Sequence, residues 1–291
     1  MTIPKTYKGK IDELKRNFEK KRRGKDDLLQ KIDSAEIPES VYNSNAIENS
    51  TLTLKETERI LLEMEADRDL DLREVFEAKN LARVTEYIRT RANEQAVDRD
   101  LILLLHRMLI SNIDDNVAGR FRKAGEYVRV GTHLAPAPGH IERLMDQLLV
   151  DYASDTTSHF MEKISRFHLE FERIHPFVDG NGRIGRVIVN FQLIREGFPP
   201  VIIRNRGKRG NYYPSFQEYI DDKNTKRLDR LLVMTLVESL HKRLAYLDGR
   251  EIVKLVDYAK RNNESVPAVL NAARRQTIPT FRERNTWKIG V

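Results

Sequence analysis

The sequence predicts a mainly α-helical body interrupted by one short β-hairpin and followed by a small C-terminal module of two helices and two strands. Three observations carry this prediction. Apolar residues recur at three-and-four spacing through most of the chain, the stretch GEYVRVGTHLAPAPG breaks that rhythm, and beyond Gly249 the pattern changes to short alternating pieces. At 291 residues the chain can bury a full core. The expected division is a body over 1–249 and a module over 250–291.

The helical rhythm is clearest at Ile141, Leu144, Met145, Leu148, Leu149 and Tyr152, and again at Phe160, Ile164, Phe167, Phe171 and Ile174. Similar periodicity predicts helices over 54–64, 72–92, 99–111, 184–196 and 227–247. In the interrupting stretch, Tyr127, Val128 and Val130 favour extended backbone, while Gly131 and the Pro-Gly cluster impose turns, so a hairpin is expected there. Residues 1–35, including KKRRGKDD, read as a solvated helix or a loose arm.

Hydrophobic residues make up 40% and charged residues 33%, as in a soluble protein with a heavily charged surface. No apolar run is long enough to cross a bilayer and MTIPKTYKGK lacks the apolar core of a secretory signal, so a cytoplasmic location and no membrane partner are expected. Cysteine is absent, which excludes disulfides, thiolate metal sites and a cysteine nucleophile. Chemistry must come from histidine, carboxylates and arginine. The net charge is +7, and residues 250–291 hold nine basic against four acidic side chains, which makes an anionic partner plausible for that end.

The string HPFVDGNGRIGR, His175 to Arg186, concentrates such residues. Pro176 disfavours helical geometry in the residue before it, so His175 closes one helix, and Gly180 and Gly182 open a loop before the next. Free N–H groups of Gly180, Asn181 and Gly182 at that helix start suit a phosphate. Arg183 and Arg186 stand in the first turn, where cations oppose the helix dipole, so an anion is expected to occupy the site. Asp179 is a hard oxygen ligand fit for Mg2+ held jointly with phosphates. His175, with an ordinary imidazole pKa of about 6.5, can accept a hydroxyl proton. A metal-hydrolase reading from His168, Glu172, His175 and Asp179 meets the obstacle that Pro176 breaks the helix needed to align them. A P-loop kinase has no GxxxxGK[ST] to rest on.

The twelve-residue string resembles the signature of the Fic family in every defining position. The resemblance implies a Fic-type helical bundle over roughly residues 36–247, with GRFRKAGEYVRVGTH as a substrate-positioning flap and PPVIIR, 199–204, as a further family-like segment. It implies that the protein moves AMP from Mg-ATP to a hydroxyl side chain of a target protein. His175 would deprotonate the hydroxyl and Asp179 would hold Mg2+ on the α and β phosphates. Asn181, Gly182 and Arg183 would bind phosphate, Arg186 the γ phosphate, and Phe177 would pack inward. Tyr212 and Tyr213 match positions near the family's adenosine pocket.

Upstream, NSNAIENSTLTLKET holds Ser44, Glu48 and Asn49 in the spacing Ser-x-x-x-Glu-Asn. This resembles the family's inhibitory helix motif, here N-terminal around 40–50, and implies that Glu48 takes the guanidinium of Arg186 from the γ phosphate. Some relatives with this glutamate also remove AMP, so a de-AMPylating or bifunctional enzyme stands as the alternative direction. The C-terminal module resembles a winged helix-turn-helix of the excisionase or MerR kind. Arg274, Arg275, Arg282, Arg284 and Lys288 could then meet DNA phosphates, with a protein-docking module as the equal alternative. A DNA-binding regulator that uses the Fic body as a nucleotide sensor is the rival from another class.

Overall fold

A computed structural model describes residues 2–63, 71–131 and 133–291. The chain is mainly helical and divides into two compact units. The first comprises Thr2, Ile37–Gly197 and Ile202–Asp229; the second comprises Ile3–Glu36, Phe198–Val201 and Arg230–Val291. Compared with the expected boundary at 249/250, the second unit keeps the C-terminal module whole and adds N-terminal and central segments to it.

The elements run α1 (Lys5–Arg22), α2 (Asp26–Ile47), α3 (Leu54–Glu58), which continues as a π-turn over Arg59–Glu63, α4 (Leu72–Arg91) and α5 (Arg99–Ile110). The hairpin follows as β1 (Arg129–Val130) and β2 (His133–Leu134), then α6 (Ile141–Ser154), α7 (Phe160–Ile174) and α8 (Asn181–Arg195). A second π-turn, Lys208–Tyr212, leads into α9 (Tyr213–Asp222) and α10 (Lys226–Leu247). The chain closes with β3 (Ile252–Lys254), α11 (Leu255–Arg261), α12 (Val266–Arg274), β4 (Thr280–Glu283) and β5 (Thr286–Gly290). The end of the helix expected over 54–64, Met64, lies outside the described residues, as does Thr132 of the hairpin.

In the first unit α8 is the central rod. Ile184, Val187, Ile188 and Phe191 are all buried, and α4, α5 and α7 pack around them. A helix buried on most of its circumference belongs inside a core, which is why its sequence shows little amphipathic contrast. Starting at Asn181, it opens three residues before the periodic stretch read from the sequence. Helix α7 is amphipathic, with Ile164, Phe167, Phe171 and Ile174 buried on one side. Asp98 and Asp71 cap α5 and α4 by accepting N–H bonds from Leu101 and Arg73, and Thr53 with Glu56 forms a capping box on α3. The hairpin is short, as expected: Arg129 pairs with Leu134 and Val130 with His133, while Tyr127 and Val128 precede it.

In the second unit, α1 and the start of α2 are helices where the sequence left a solvated helix or a loose arm open, with Ile11 and Phe18 buried on α1. The strands form an antiparallel sheet in the order β3-β5-β4, and Val253, Leu255, Ala259, Val269, Ala273 and Ile289 make the core of the module. Helices α11 and α12 are joined through Asn263 at positive φ, and Arg284-Asn285, both left-handed, make the tight turn between β4 and β5. Of the basic residues considered for DNA contact, Arg282 grips Glu238 with Nε and Nη2, the latter at 2.6 Å, and Lys288 donates to Glu283 at 2.5 Å. Arg274, Arg275 and Arg284 are exposed, with Arg274 donating to Asn271 at 3.2 Å.

A buried ionic cluster ties the second unit together. Arg243 is fully buried and donates to Asp33 and Glu36, and Lys242 bridges Glu36 and Glu283 at 2.9 Å each. Burial alone would push the Glu36 carboxyl up, but Arg243 and Lys242 hold it below the usual range. Arg243→Ala should therefore cost ~3–5 kcal/mol, since it strands buried carboxylates, and chemical denaturation should read this as a lower midpoint.

Candidate active site

Helix α7 ends at His175, whose backbone is left-handed (φ 51°, ψ 62°), and its N–H closes the helix on Phe171 O at 2.9 Å. A non-glycine residue in this region is uncommon and marks a position fixed by its surroundings. The fixing group is Arg122, a buried residue of the flap segment. Its Nε donates to His175 O at 2.9 Å, Nη1 to Glu126 O at 2.8 Å and Nη2 to Pro136 O at 2.9 Å, while its own N–H reaches Pro176 O at 2.9 Å. One side chain thus fastens the base of the flap to the turn that presents the histidine. The tip is held by His133 Nε2, 3.0 Å from Arg173 O.

The loop after His175 is pinned from inside. Phe177 is buried and stacks on His106 at 3.7 Å between centroids. His106 Nδ1 accepts from Gly119 N at 3.0 Å, so Nε2 carries the proton that it donates to Asp179 O, also at 3.0 Å. Burial lowers the His106 pKa to about 4, which keeps the ring in this neutral form. The Asn181 side chain spans the loop, accepting from Phe177 N and donating to Phe177 O, both at 2.9 Å. Its amide is thereby committed to the loop, and its offering to a ligand is the main-chain N–H. Gly180 is left-handed (φ 81°), and a Cβ there would meet Ile110 and Leu109 at 3.1 Å.

Around this turn lies a cavity of about 550 Å³ whose lining includes Glu48, His175, Asp179, Gly182, Arg186 and Tyr213. It brings together most of the residues predicted from the string: Gly180, Asn181 and Gly182 at the N-terminus of α8, with Tyr212 on the same wall. Arg183 is the exception. It is buried beneath the turn and pairs with Glu77 and Asp179 at 3.1 Å each, so it braces the metal-ligand candidate instead of facing the opening.

Arg186 is buried and turns toward residues 44–48. Its Nε donates to Ser44 Oγ at 2.9 Å, and Nη2 to Ser44 O at 2.9 Å and to Glu48 Oε1 at 2.8 Å. Nη1 lies 3.4 Å from Tyr212 OH, whose hydroxyl also bonds His168 Nε2 at 2.8 Å. Ser44 belongs to the last turn of α2, and Glu48 and Asn49 lie just past its end, with Asn49 at φ 70°. Lys208 holds that end by donating to Ala46 O at 2.7 Å, Ile47 O at 3.0 Å and Asn49 Oδ1 at 3.1 Å, and Tyr213 OH donates to Ile47 O at 2.5 Å. Lys208, Arg122, His106 and Glu77 were not singled out from the sequence, because their partners are remote in the chain.

His175 is mostly buried, and that burial brings its pKa down to about 4, leaving a neutral base at physiological pH. Nδ1 faces Glu172 O at 3.3 Å and must carry the proton, because a carbonyl only accepts. Nε2 is the basic nitrogen. Asp179 accepts from Gly180 N at 2.5 Å and from the half-exposed Arg73 at 2.5 Å; burial raises its carboxyl, but Arg183 and Arg73 bring it below the usual range. No cluster of three metal-ligating side chains occurs among the described residues.

Residues 96–193 match the Fic/DOC family. The chain carries a Fic domain. It is 33% identical over 210 residues to protein adenylyltransferase Fic of Drosophila melanogaster, covering 67% of this chain and 42% of that protein. Protein adenylyltransferase Fic of Nematostella vectensis is 34% identical over 188 residues, covering 63% and 42%. The chain thus spans 42% of the length of these curated relatives. A Fic domain containing signaling protein from Bacteroides thetaiotaomicron superimposes with a TM-score of 0.74 at 25% identity, over 83% of this chain and 97% of that one. A Fic family protein from Desulfovibrio desulfuricans shares the fold over 100% of this chain and 97% of its own, with a TM-score of 0.67 at 22% identity.

Within the Fic domain, the turn that positions His175 depends on Gly180. Gly180→Ala should cost at least ~1–2 kcal/mol from the left-handed backbone alone. A lower unfolding midpoint would register it, and an unchanged one would show that the loop can relax.

Proposed function

We propose that this protein is an autoinhibited protein adenylyltransferase that moves AMP from ATP to a hydroxyl side chain of another protein. The observation that carries the reading is convergence: a neutral histidine with Nε2 available, the open N-terminus of α8 and the guanidinium of Arg186 all serve one cavity. The first-turn N–H groups of α8 have no partner within the helix and suit phosphate oxygens. The relatives are named protein adenylyltransferases, which supports the same reaction.

In the reaction, the target oxygen forms a bond to the α phosphorus while the bond from that phosphorus to the pyrophosphate oxygen breaks. Nε2 of His175 takes the hydroxyl proton, and Nδ1 stays bonded to Glu172 O. Asp179 fits a role in holding Mg2+, because it is a carboxylate at the cavity wall beside the anion seat, and Mg2+ in such sites needs only one or two carboxylates with phosphates. The ion would supply charge neutralisation at the phosphates. Arg73, which pairs with Asp179 from the surface, is exposed enough to yield. The flap, with Val130 and Leu134 exposed, is the candidate seat for the target segment.

Glu48 is the brake in this reading. Its carboxylate occupies the guanidinium that would take the γ phosphate, and a Cβ built on Gly182 would lie 2.2 Å from its Oε1, so Glu48 stands directly over the start of α8. That placement also supports the reverse activity, removal of AMP, because Glu48 and His175 line the same cavity. The C-terminal module is proposed as a winged helix-turn-helix over 250–291. With Arg282 and Lys288 ion-paired, DNA contact would rest on the exposed Arg274 and Arg275.

Incubation with ATP labelled at the α phosphate should transfer label to the protein or a partner, whereas γ label should not transfer. His175→Ala should reduce transfer by about 10²- to 10⁴-fold, as expected for loss of a general base. Glu48→Gly should raise it by about 10- to 100-fold, the equivalent of the ~1.5–3 kcal/mol of a charge-assisted hydrogen bond. Adding Arg186→Ala should cancel that gain. Transfer that survives His175→Ala, or a gain that survives loss of Arg186, would overturn the corresponding assignment; loss of AMP removal in Glu48→Gly would make the glutamate a hydrolytic residue.

A further inference from the structure

The wall of the same cavity holds a carboxyl group that none of these roles uses. Glu172 stands one turn before His175 on α7, and its Oε2 is 3.8 Å from His175 Nδ1. Its Oε1 is buried and has no hydrogen-bond partner among the described residues. Such a group normally costs about 1–3 kcal/mol, so its retention calls for a reason. Helix α8 makes room for it: a Cβ on Gly185 would lie 2.6 Å from Glu172 Oε1 and 2.8 Å from His168 Cε1.

We propose that Glu172 is the positioning residue of His175, fixing the imidazole with its main-chain oxygen and holding, through its carboxylate, the charge that the ring gains when Nε2 takes the hydroxyl proton. The inference deepens the transferase reading and rests on it for the direction of proton flow. When Nε2 is protonated, both ring nitrogens carry hydrogen, and the new positive charge is shared at Nδ1. Glu172 O already accepts from Nδ1 at 3.3 Å, and the carboxyl oxygen waits 3.8 Å away on the same side. No new bond or co-reactant is involved; the proton resides on His175 until the product leaves.

The groups facing this pair explain why the arrangement is silent in the braked state. Glu172 faces Glu48 from beyond the end of α2, Arg186 from α8, Tyr212 from its π-turn, and His168 and His175 on its own side. His175 faces Glu48, Arg122 and His133 besides. Burial pushes the Glu172 carboxyl up to about 8, Glu48 adds to the rise, and Arg186 opposes it. With Glu48 in place, Glu172 is therefore protonated at neutral pH and carries no charge to offer the imidazole. In the Glu48→Gly protein without nucleotide, burial still raises the Glu172 carboxyl, but the contribution of Glu48 is gone and Arg186 opposes the rise.

The test uses the full chain in the Glu48→Gly background. Glu172→Gln should lower the transfer rate at saturating Mg-ATP on the order of tenfold to a hundredfold, below the ~10⁴-fold of a triad aspartate because the main-chain carbonyl remains. KM for ATP should stay within about twofold, since uniform binding is untouched. The acid limb of the pH-rate profile should move to lower pH, because the Gln variant lacks the carboxyl whose ionisation, held high by burial, sets that limb, and Glu172→Asp should restore part of the rate. NMR titration of the His175 ring without nucleotide reads the same pair independently of activity: the Glu48→Gly protein should show two coupled steps and the Gln variant a single step at lower pH. A rate loss with unchanged titration and unchanged profile would assign Glu172 to packing and overturn the proposal. A single step in the Glu48→Gly protein would do so even if the Gln variant fails to fold. Absence of any AMP transfer by Glu48→Gly would instead sink the transferase reading while the titration still judges the pair.

Discussion

The guanidinium of Arg186 must have an anion. It is buried in the second turn of α8, so it can stay charged only with oxygen partners around it. Ser44 supplies two neutral acceptors, Tyr212 a weak third, and Glu48 a full negative charge at 2.8 Å. The same requirement explains the position of α2's end, the neighbouring Gly182 that leaves room for a carboxylate, and the suitability of the cavity for a phosphate chain.

Around that charge the fold is arranged to hold one short loop still. The His175 turn has no regular secondary structure to stabilise it, so its conformation is fixed by side chains that bond to its main chain. Arg122 takes His175 O, His106 takes Asp179 O, and Asn181 takes both polar groups of Phe177. Each of these partners is itself buried, which removes the competition from water that would let the loop move. The geometry of the loop is in this sense set by side chains committed to its main chain.

What the sequence revealed and what it hid divide along chain distance. The end of α7 at His175 was legible because Pro176 and the glycines act on their immediate neighbours. The partnership of Glu48 with Arg186 was legible only because both belong to motifs read together. The burial of Arg183 was not, because its partner Glu77 stands on α4, and nothing in GNGR distinguishes an arginine that faces a ligand from one that braces an aspartate. Strand β3 escaped because it exists only through pairing with β5, far along the chain. Arg282 and Lys288 looked like free basic residues of a wing until Glu238 and Glu283 were found beside them. Glu172 appeared only as a would-be metal ligand, since its character comes from burial and no spacing announces burial.

The two partners in the Arg186 pair are unequally placed: the arginine side chain is 6% exposed and the Glu48 side chain 42%. One member is built into the core and the other reaches in from the rim. Leaving the pair is therefore cheap for the glutamate, which regains water, and costly for the arginine, which cannot. If Glu48 is the brake proposed above, any variant or event that withdraws it trades resistance to unfolding for readiness to react, and restores that resistance only when an anionic ligand arrives. Released forms of this protein should consequently be those whose persistence depends on nucleotide concentration, so that supply of the substrate governs how long the unlocked protein survives.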